Sequence, residues 1–356
     1  MARTRRVCMV RGSAVVAVRG RCELLGMDVS WRTISVRSGK SLPFEPSRQC
    51  RLRVRPGRGG KKWWADASFA GTSMWRAVVN DVLSLLRNLQ KPLVVMVAGG
   101  TDAGKSTFCT FLANRAIADG VVPSIVDGDI GQSDLAPPSV IGAAALSHQI
   151  SDLRDVNATV FEFVGSTSPH GLESFISKRL GSIVTRLCYA GGLCIVNTDG
   201  YVDNGGIMYK KMIASEIRPE IIVLLGGSRI LHDALAPGPW ETLRARANSQ
   251  VQKSRTVREW RRKDQFAKYL GSRRLVVEPS NITFVYFGAI YSFSRLQSTD
   301  MPQFQPENMK QMFVGLGSRR DVAGFGIIDR MSRESLVVLT EIKNFDTIYL
   351  SDVRLS

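Results

Sequence analysis

An apolar run, Leu93 to Ala98, opens directly into the nine residues Gly99, Gly100, Thr101, Asp102, Ala103, Gly104, Lys105, Ser106 and Thr107, and a helix-forming run continues to Ala118. This is GxxxxGK[ST] in the strand, loop and helix context that a P-loop requires. Such a loop turns backbone N–H groups inward around phosphate oxygens, and the helix behind it presents its positive end to the same anion. Lys105 is then placed to reach the β- and γ-phosphates, and the Ser106 hydroxyl to meet a Mg²⁺ ion. The competing reading, a glycine-rich turn with no ligand, accounts for neither the Lys-Ser pair nor both flanks.

From Lys91 to about Val277 strand and helix patterns alternate. The candidate strands are Leu93–Ala98, Ser124–Val126, Val160–Val164, Leu193–Asn197 and Ile221–Leu225. Helices between them imply an α/β fold with a buried parallel sheet, whose sites gather at the carboxyl ends of the strands. Upstream, short β segments (Ala14–Val18, Met27–Val29, Thr33–Val36, Arg51–Val54) are separated by Gly, Ser and Pro turns, and Trp75–Leu89 has a helical apolar spacing that packs against the next domain. Downstream, β character returns at Thr283–Phe287, Gly324–Asp329, Leu336–Glu341 and Thr347–Leu350. The expected organisation is a basic β domain (1–72), a P-loop domain (73–280) and a terminal β domain (281–356).

Charge narrows the ligand class. The 356 residues carry a net charge of +17, and the first 90 hold 18 Lys/Arg against 5 Asp/Glu. A field of that sign draws polyanions: nucleic acid first, anionic membrane surface as the competitor, with general solubility charge as the plain alternative. No run approaches the ~18 apolar residues of a membrane span, so no membrane is expected. The N-terminus has charge without an apolar leader core, and the six cysteines show neither CxxC nor histidine partners at ligand spacing. Zinc and a disulfide framework are unsupported, and the expected location is cytoplasmic. Three histidines leave little room for histidine chemistry. In Pro56–Gly71, Trp63 and Trp64 stand beside basic residues; packing is the favoured reading, base stacking the other.

Four further stretches fall at predicted strand ends or beyond them. Ile125 and Val126 deliver Asp127 and Asp129 to the phosphate end of the sheet, where a Walker B acid holds Mg²⁺, and Gln132 is placed to position a nucleophile or the metal's water. The alternative is a pair of capping acids in an Asp-Gly turn. Phe163–Gly171 ends the next strand with small hydroxyl residues that either bind phosphate or simply turn the chain. Asn197-Thr198-Asp199 lacks the lysine of a guanine-reading motif, which argues against a GTPase. Finally, Leu243–Arg274 holds eleven Lys/Arg against two acids, as expected of either an arginine lid over a γ-phosphate or a solvated basic helix.

Taken in order, these stretches resemble the polynucleotide 5′-hydroxyl kinases of the Clp1 and Grc3/Nol9 type, including their archaeal relatives. The P-loop matches Gly99 to Ser106, and the family's DxxQ motif matches Asp129 and Gln132. Its Gly-x-x-x-Ser-Pro turn is similar to the segment bearing Ser168. Its Thr-x-Gly-Trp clasp on the acceptor strand resembles Thr198, Gly200 and Tyr201, with tyrosine in place of tryptophan. Its Arg-x-x-x-Arg lid resembles Arg258 and Arg262. The resemblance implies ATP and Mg²⁺ as cofactors, transfer of the γ-phosphate to the 5′-OH of RNA or, less expectedly, DNA, and partners from RNA processing. In that scheme Asp129 orients or deprotonates the acceptor, Gln132 and Asp127 complete the metal shell with Ser106, and the lid arginines close. An ATP-binding scaffold without turnover is the alternative, and a small-molecule kinase a weaker one.

Overall fold

The computed structural model describes residues 6–67, 72–89, 91–188, 192–247, 252–298 and 300–355. Leu93–Gly99 is buried at all seven positions, as expected of an apolar strand covered on both faces. It lies inside a seven-stranded sheet in the order Val160–Phe163, Val140–Ala145, Pro123–Asp127, Leu193–Asn197, Leu93–Gly99, Ile221–Leu225, Glu241–Ala245. The last five are parallel. Val140–Ala145 pairs antiparallel with both of its neighbours, so Val160–Phe163 shares the direction of the five and the sheet is mixed rather than wholly parallel. Val160–Phe163 is thus an edge strand, paired with a strand, Val140–Ala145, that the sequence reading passed over. A short apolar run carries no information about strand direction, and the return of the chain after Pro137 and Pro138 decides it.

One face of this sheet is covered by helices Glu173–Cys188 and Asn204–Ile217, with Leu180, Ile183, Tyr209 and Ile213 packed on Met96, Val126, Val196 and Ile222. The other carries helices Arg76–Asn88 and Lys105–Ala118, whose Val79, Leu83, Phe108 and Leu112 meet Val95, Ile125, Ile195 and Val223. The expected packing of the 75–89 stretch is seen: the Trp75 ring stands edge-on to Phe108 at 5.6 Å, and its Nε1 donates to the Arg246 carbonyl at 2.8 Å.

That second core continues without a break into Val16, Val18, Leu24 and Phe44 of the N-terminal segment. The segment forms two antiparallel sheets, one of five strands built on Arg6–Arg11, Ser41–Pro46 and Lys61–Asp66, the other of three (Thr33–Val36, Ala14–Arg19, Arg51–Pro56). At the other end, a seven-stranded sheet runs from Arg274–Val277 to Ala289–Tyr291. Its first strand precedes residue 281, because the chain leaves the basic helix Arg255–Tyr269 and pairs at once with Leu336–Thr340. An aromatic cluster joins this sheet to the rest: Phe313 lies 5.8 Å from Phe163 of the central sheet's edge, 5.0 Å from Phe266 of the basic helix and 5.5 Å from Phe325. Among the described residues no helix is long and apolar enough to cross a membrane.

A buried ionic knot fixes the N-terminal sheets against the P-loop domain. Asp152, 2% exposed, accepts from Arg154 Nη2 at 2.9 Å and lies 3.6 Å from Lys40 Nζ, while Arg154 Nη1 donates to the Ser38 carbonyl at 3.2 Å. Burial works against the charge, but Lys40 and Arg154 hold the Asp152 carboxyl well below the usual carboxylate range. A carboxyl with a depressed folded pKa contributes stability above its unfolded value, ~3.9, and loses it as pH falls through the folded one. Asp152→Asn is therefore expected to cost about 3–5 kcal/mol at pH 7, since it strands two buried cations. Urea unfolding should show the gap from wild type narrowing below about pH 4; a gap independent of pH would contradict the assignment.

Candidate active site

The carboxyl ends of the parallel strands open on one cavity of ≈ 410 Å³. From the P-loop, Thr101, Asp102, Gly104, Lys105, Ser106 and Thr107 line it, while Gly99, Gly100 and Ala103 shape the loop behind. Gly104 caps the helix Lys105–Ala118 in a left-handed conformation, φ 97°. Lys105 is buried and donates to the Gly99 and Gly100 carbonyls at 2.9 and 2.8 Å. Burial lowers its pKa, and the neighbouring Asp129 carboxylate opposes that shift.

Asp129 and Gln132 line the same cavity as Lys105. The Asp129 Oδ1 accepts from the Gly131 and Gln132 N–H groups at 3.2 and 2.9 Å, so the turn itself aims the carboxylate. Burial, and then the charge of Asp199, raise its pKa. Gln132 Nε2 is tied to the Gly131 carbonyl at 2.9 Å, leaving a buried Oε1 with no partner among the described residues.

Asp127 does not line the cavity, contrary to its expected place in a metal shell. Its Oδ2 accepts from Ser133 Oγ and the Asp134 and Leu135 N–H groups, and its Oδ1 from Asn197 Nδ2 at 2.9 Å. Burial and the adjacent Asp134 and Asp129 push its carboxyl up to about 7. It braces the turn, and Asn197 relays that brace to Ser106 Oγ at 3.4 Å.

Two expected acceptor contacts are likewise structural. Thr198 is buried and spends its hydroxyl on the Val97 carbonyl at 2.9 Å, and exposed Ser168 accepts the His170 N–H at 3.3 Å, outside the wall that Thr167 and Pro169 line. A hydroxyl at a strand end serves a turn as readily as a ligand, and the sequence cannot say which. Gly200 and Tyr201 do reach the wall. Gly200 must be glycine, because a Cβ there would lie 2.4 Å from Thr101 Oγ1 and 2.7 Å from its Cα.

The basic helix behaves as expected at one position and not at the other. Arg258 lines the cavity and donates from Nη2 to Asp102 Oδ2 at 2.7 Å; Lys253 adds a backbone N–H to the same oxygen at 3.0 Å. Burial opposes it, but these donors and cations hold Asp102 below the usual carboxylate range. Arg262 stays outside the cavity, whose second guanidinium is Arg261, buried and paired with Asp134. The helix turns so that positions three apart, not four, face the site. It is also firmly held: Gln265 and Lys268 donate to carbonyls of residues 133, 136, 154 and 156, and Tyr269 Oη accepts the Ala158 N–H at 2.9 Å. Part of the run expected as a lid, residues 248–251, lies outside the described residues.

Among the wall groups that sequence reasoning missed, beside Arg261 and its partner Asp134, are Lys40 and Asp199. Lys40 comes from the N-terminal sheets, beyond any local motif. Asp199 sits inside the Thr198–Tyr201 stretch; its Oδ1 accepts from the Tyr201 N–H and from buried Lys210, both at 2.7 Å, and its buried Oδ2 has no partner among the described residues. A charged residue at a buried strand end was the available signal.

A phosphate loop, an acidic turn two strands away in the sheet and a guanidinium on the same wall define a P-loop domain. More particularly, residues 99–272 match the family model described as the mRNA cleavage and polyadenylation factor CLP1 P-loop. The relatives include the polyribonucleotide 5′-hydroxyl-kinase MJ1315 of Methanocaldococcus jannaschii, 35% identical over 161 residues, or 44% of each chain. The kinase PH0197 of Pyrococcus horikoshii is 29% identical over 54% of this chain and 53% of its own, and Clp1 of Gallus gallus 28% identical over 49% and 44%. The chain thus spans about half the length of the curated relatives it matches. Over 99% of its length the fold is that of Clp1p in its complex with Pcf11p (TM-score 0.76, 13% identity, 96% of that chain).

Proposed function

We propose that this chain is an ATP-dependent polynucleotide 5′-hydroxyl kinase that transfers the γ-phosphate of ATP to the 5′-OH of RNA. One observation carries the reading: Lys105, Ser106, Asp129, Gln132 and Arg258 line a single cavity. The printed activity of the relatives supports the choice of acceptor. The domain division given above, cytoplasmic location and RNA-processing partners belong to the same proposal.

The chemistry needs positioning and charge stabilisation rather than a covalent nucleophile. In this reading Lys105 leaves the loop carbonyls for the β- and γ-phosphates, and Arg258 trades Asp102 for a γ-phosphate oxygen. Asp129, already aimed by its own turn, accepts the proton of the attacking 5′-OH or orients it. Gly200 and Tyr201 flank the acceptor, the ring offering a base-stacking face. Ser106 Oγ, the Asp129 carboxylate and the orphaned Gln132 Oε1 are hard oxygen donors of the kind that suit Mg²⁺, and these residues would hold it. When bound, the ion neutralises charge on the β- and γ-phosphate oxygens.

A second reading, an ATP-binding scaffold that does not turn over, is favoured by one feature: both key cations, Lys105 and Arg258, are engaged by the loop itself. Incubation with γ-labelled ATP and 5′-hydroxyl RNA or DNA oligonucleotides separates the two. Label on the 5′ end, absent in Lys105→Ala, is the expected result. ATP-dependent oligonucleotide binding without label would establish the scaffold instead, and label on a small metabolite would overturn both.

A further inference from the structure

The N-terminal sheets carry cations that the reaction does not use. Within twelve residues stand Arg51, Arg53, Arg55, Arg58, Lys61 and Lys62. All six are exposed, and among the described residues none has a carboxylate within ion-pair distance. Their arrangement follows from the backbone. Arg51, Arg53 and Arg55 alternate with half-buried Leu52 and Val54 on the strand Arg51–Pro56, so the three guanidinium groups leave from one face, about 6.7 Å apart at two residues per step. The chain then turns through Arg58 into the strand Lys61–Asp66. There Trp64, 47% exposed, shares a strand face with Lys62, and the Arg6 guanidinium lies 5.9 Å from its ring.

This ribbon begins beside the cavity. Lys61 is the register partner of Arg11, and Arg11 of Ser41, a cavity-lining residue; Arg11 Nε also donates to Ser41 Oγ at 3.3 Å. Two strand spacings, about 10 Å, therefore separate Lys61 from the cavity wall.

We infer that the 51–62 segment is a docking track for the body of a single-stranded nucleic acid whose 5′ end occupies the cavity. The inference rests on the polynucleotide reading of the site and extends it to a surface that touches no reacting group. Unpaired cations at regular spacing neutralise a phosphate backbone without reading sequence, and an exposed ring among them gives an unpaired base a stacking face. An anionic bilayer would be held by the charges alone, and nothing in that case would direct the row toward the cavity.

The test compares wild type with Arg53→Gln/Arg55→Gln/Lys61→Gln, all solvent-facing changes, on a 5′-hydroxyl trinucleotide and a 20-nucleotide RNA. The expected result is a KM for the 20-mer raised at least tenfold, with kcat and the trinucleotide KM unchanged. The dependence of log affinity on log salt should flatten by about 2, the value for three lost phosphate contacts on a single strand. Equal shifts for both acceptors, or none, would overturn the track. Anisotropy of a labelled 20-mer reads the same surface without phosphoryl transfer, so loss of binding in the triple variant would support the track even if the kinase reading failed. Binding of phosphatidylserine vesicles that falls in the variant while RNA binding does not would assign the segment to a membrane and reject the track.

Discussion

Replacing Arg258 with alanine is expected to slow phosphoryl transfer to a 5′-hydroxyl oligonucleotide by about 1,000-fold or more, the scale on which arginines contribute when charge spreads over a transferring phosphoryl group. The side chain is one-third exposed and its protein partner, Asp102, keeps the Lys253 N–H, so the fold should survive the change. Arg258→Lys should recover little, because a point charge cannot reproduce a planar fork. Single-turnover rates with ATP and a 5′-hydroxyl RNA make the measurement, with circular dichroism as the check on folding. The parallel variant Arg262→Ala provides the contrast: that residue is outside the cavity, and its rate should stay within a few-fold of wild type. Equal losses at the two positions would mean that the helix faces the site differently from the arrangement seen here.

Lys105→Ala is the second large effect. In the proposed reaction its ammonium is the cation that the P-loop brings to the phosphates, and removing one preorganised donor of this kind costs about 100- to 1,000-fold in kcat. Nucleotide affinity should fall with it, since the same contact exists in the ground state. The variant loses two hydrogen bonds to loop carbonyls but also one buried charge, so its unfolding midpoint should lie near that of wild type. Filter binding of ATP and the labelled-oligonucleotide assay would measure both quantities. Retention of transfer within tenfold would remove the loop from the chemistry.

Much of the site was legible because its signals are local. The phosphate loop and the Asp129 turn are set by contiguous residues, and the two meet because their parallel strands, with only Leu193–Asn197 between them, end at the same edge of the sheet. What failed to transfer was the division of labour among neighbouring polar side chains. Asp127 and Thr198 stand at strand ends as a ligand would, yet each is consumed by donors or acceptors only the folded chain supplies. The basic helix posed a similar problem: its six cations gave no phase, and packing of Phe266 against Phe313 fixes which of them turn inward. In the fold, the missed strands share a cause. Ser41–Pro46 contains Pro43 and Pro46, which read as breakers, and Phe313–Gly317 contains two glycines. Gly315 is there because Phe163 approaches so closely that a Cβ would lie 2.7 Å from its ring. Lys40 was beyond reach altogether, since its place at the cavity is decided by Asp152, more than a hundred residues away.

The helix that carries Arg258 and Arg261 is riveted along its second half by aromatic packing and by hydrogen bonds to three other segments. Assembly of positive charge around the phosphates is therefore completed during folding and is not deferred to the arrival of a ligand. Each guanidinium is held by a carboxylate, Arg258 by Asp102 and Arg261 by Asp134, and the helix that carries them leans on the C-terminal sheet through Phe266. Loosening that sheet would detune the phosphate site without altering a single group in contact with substrate.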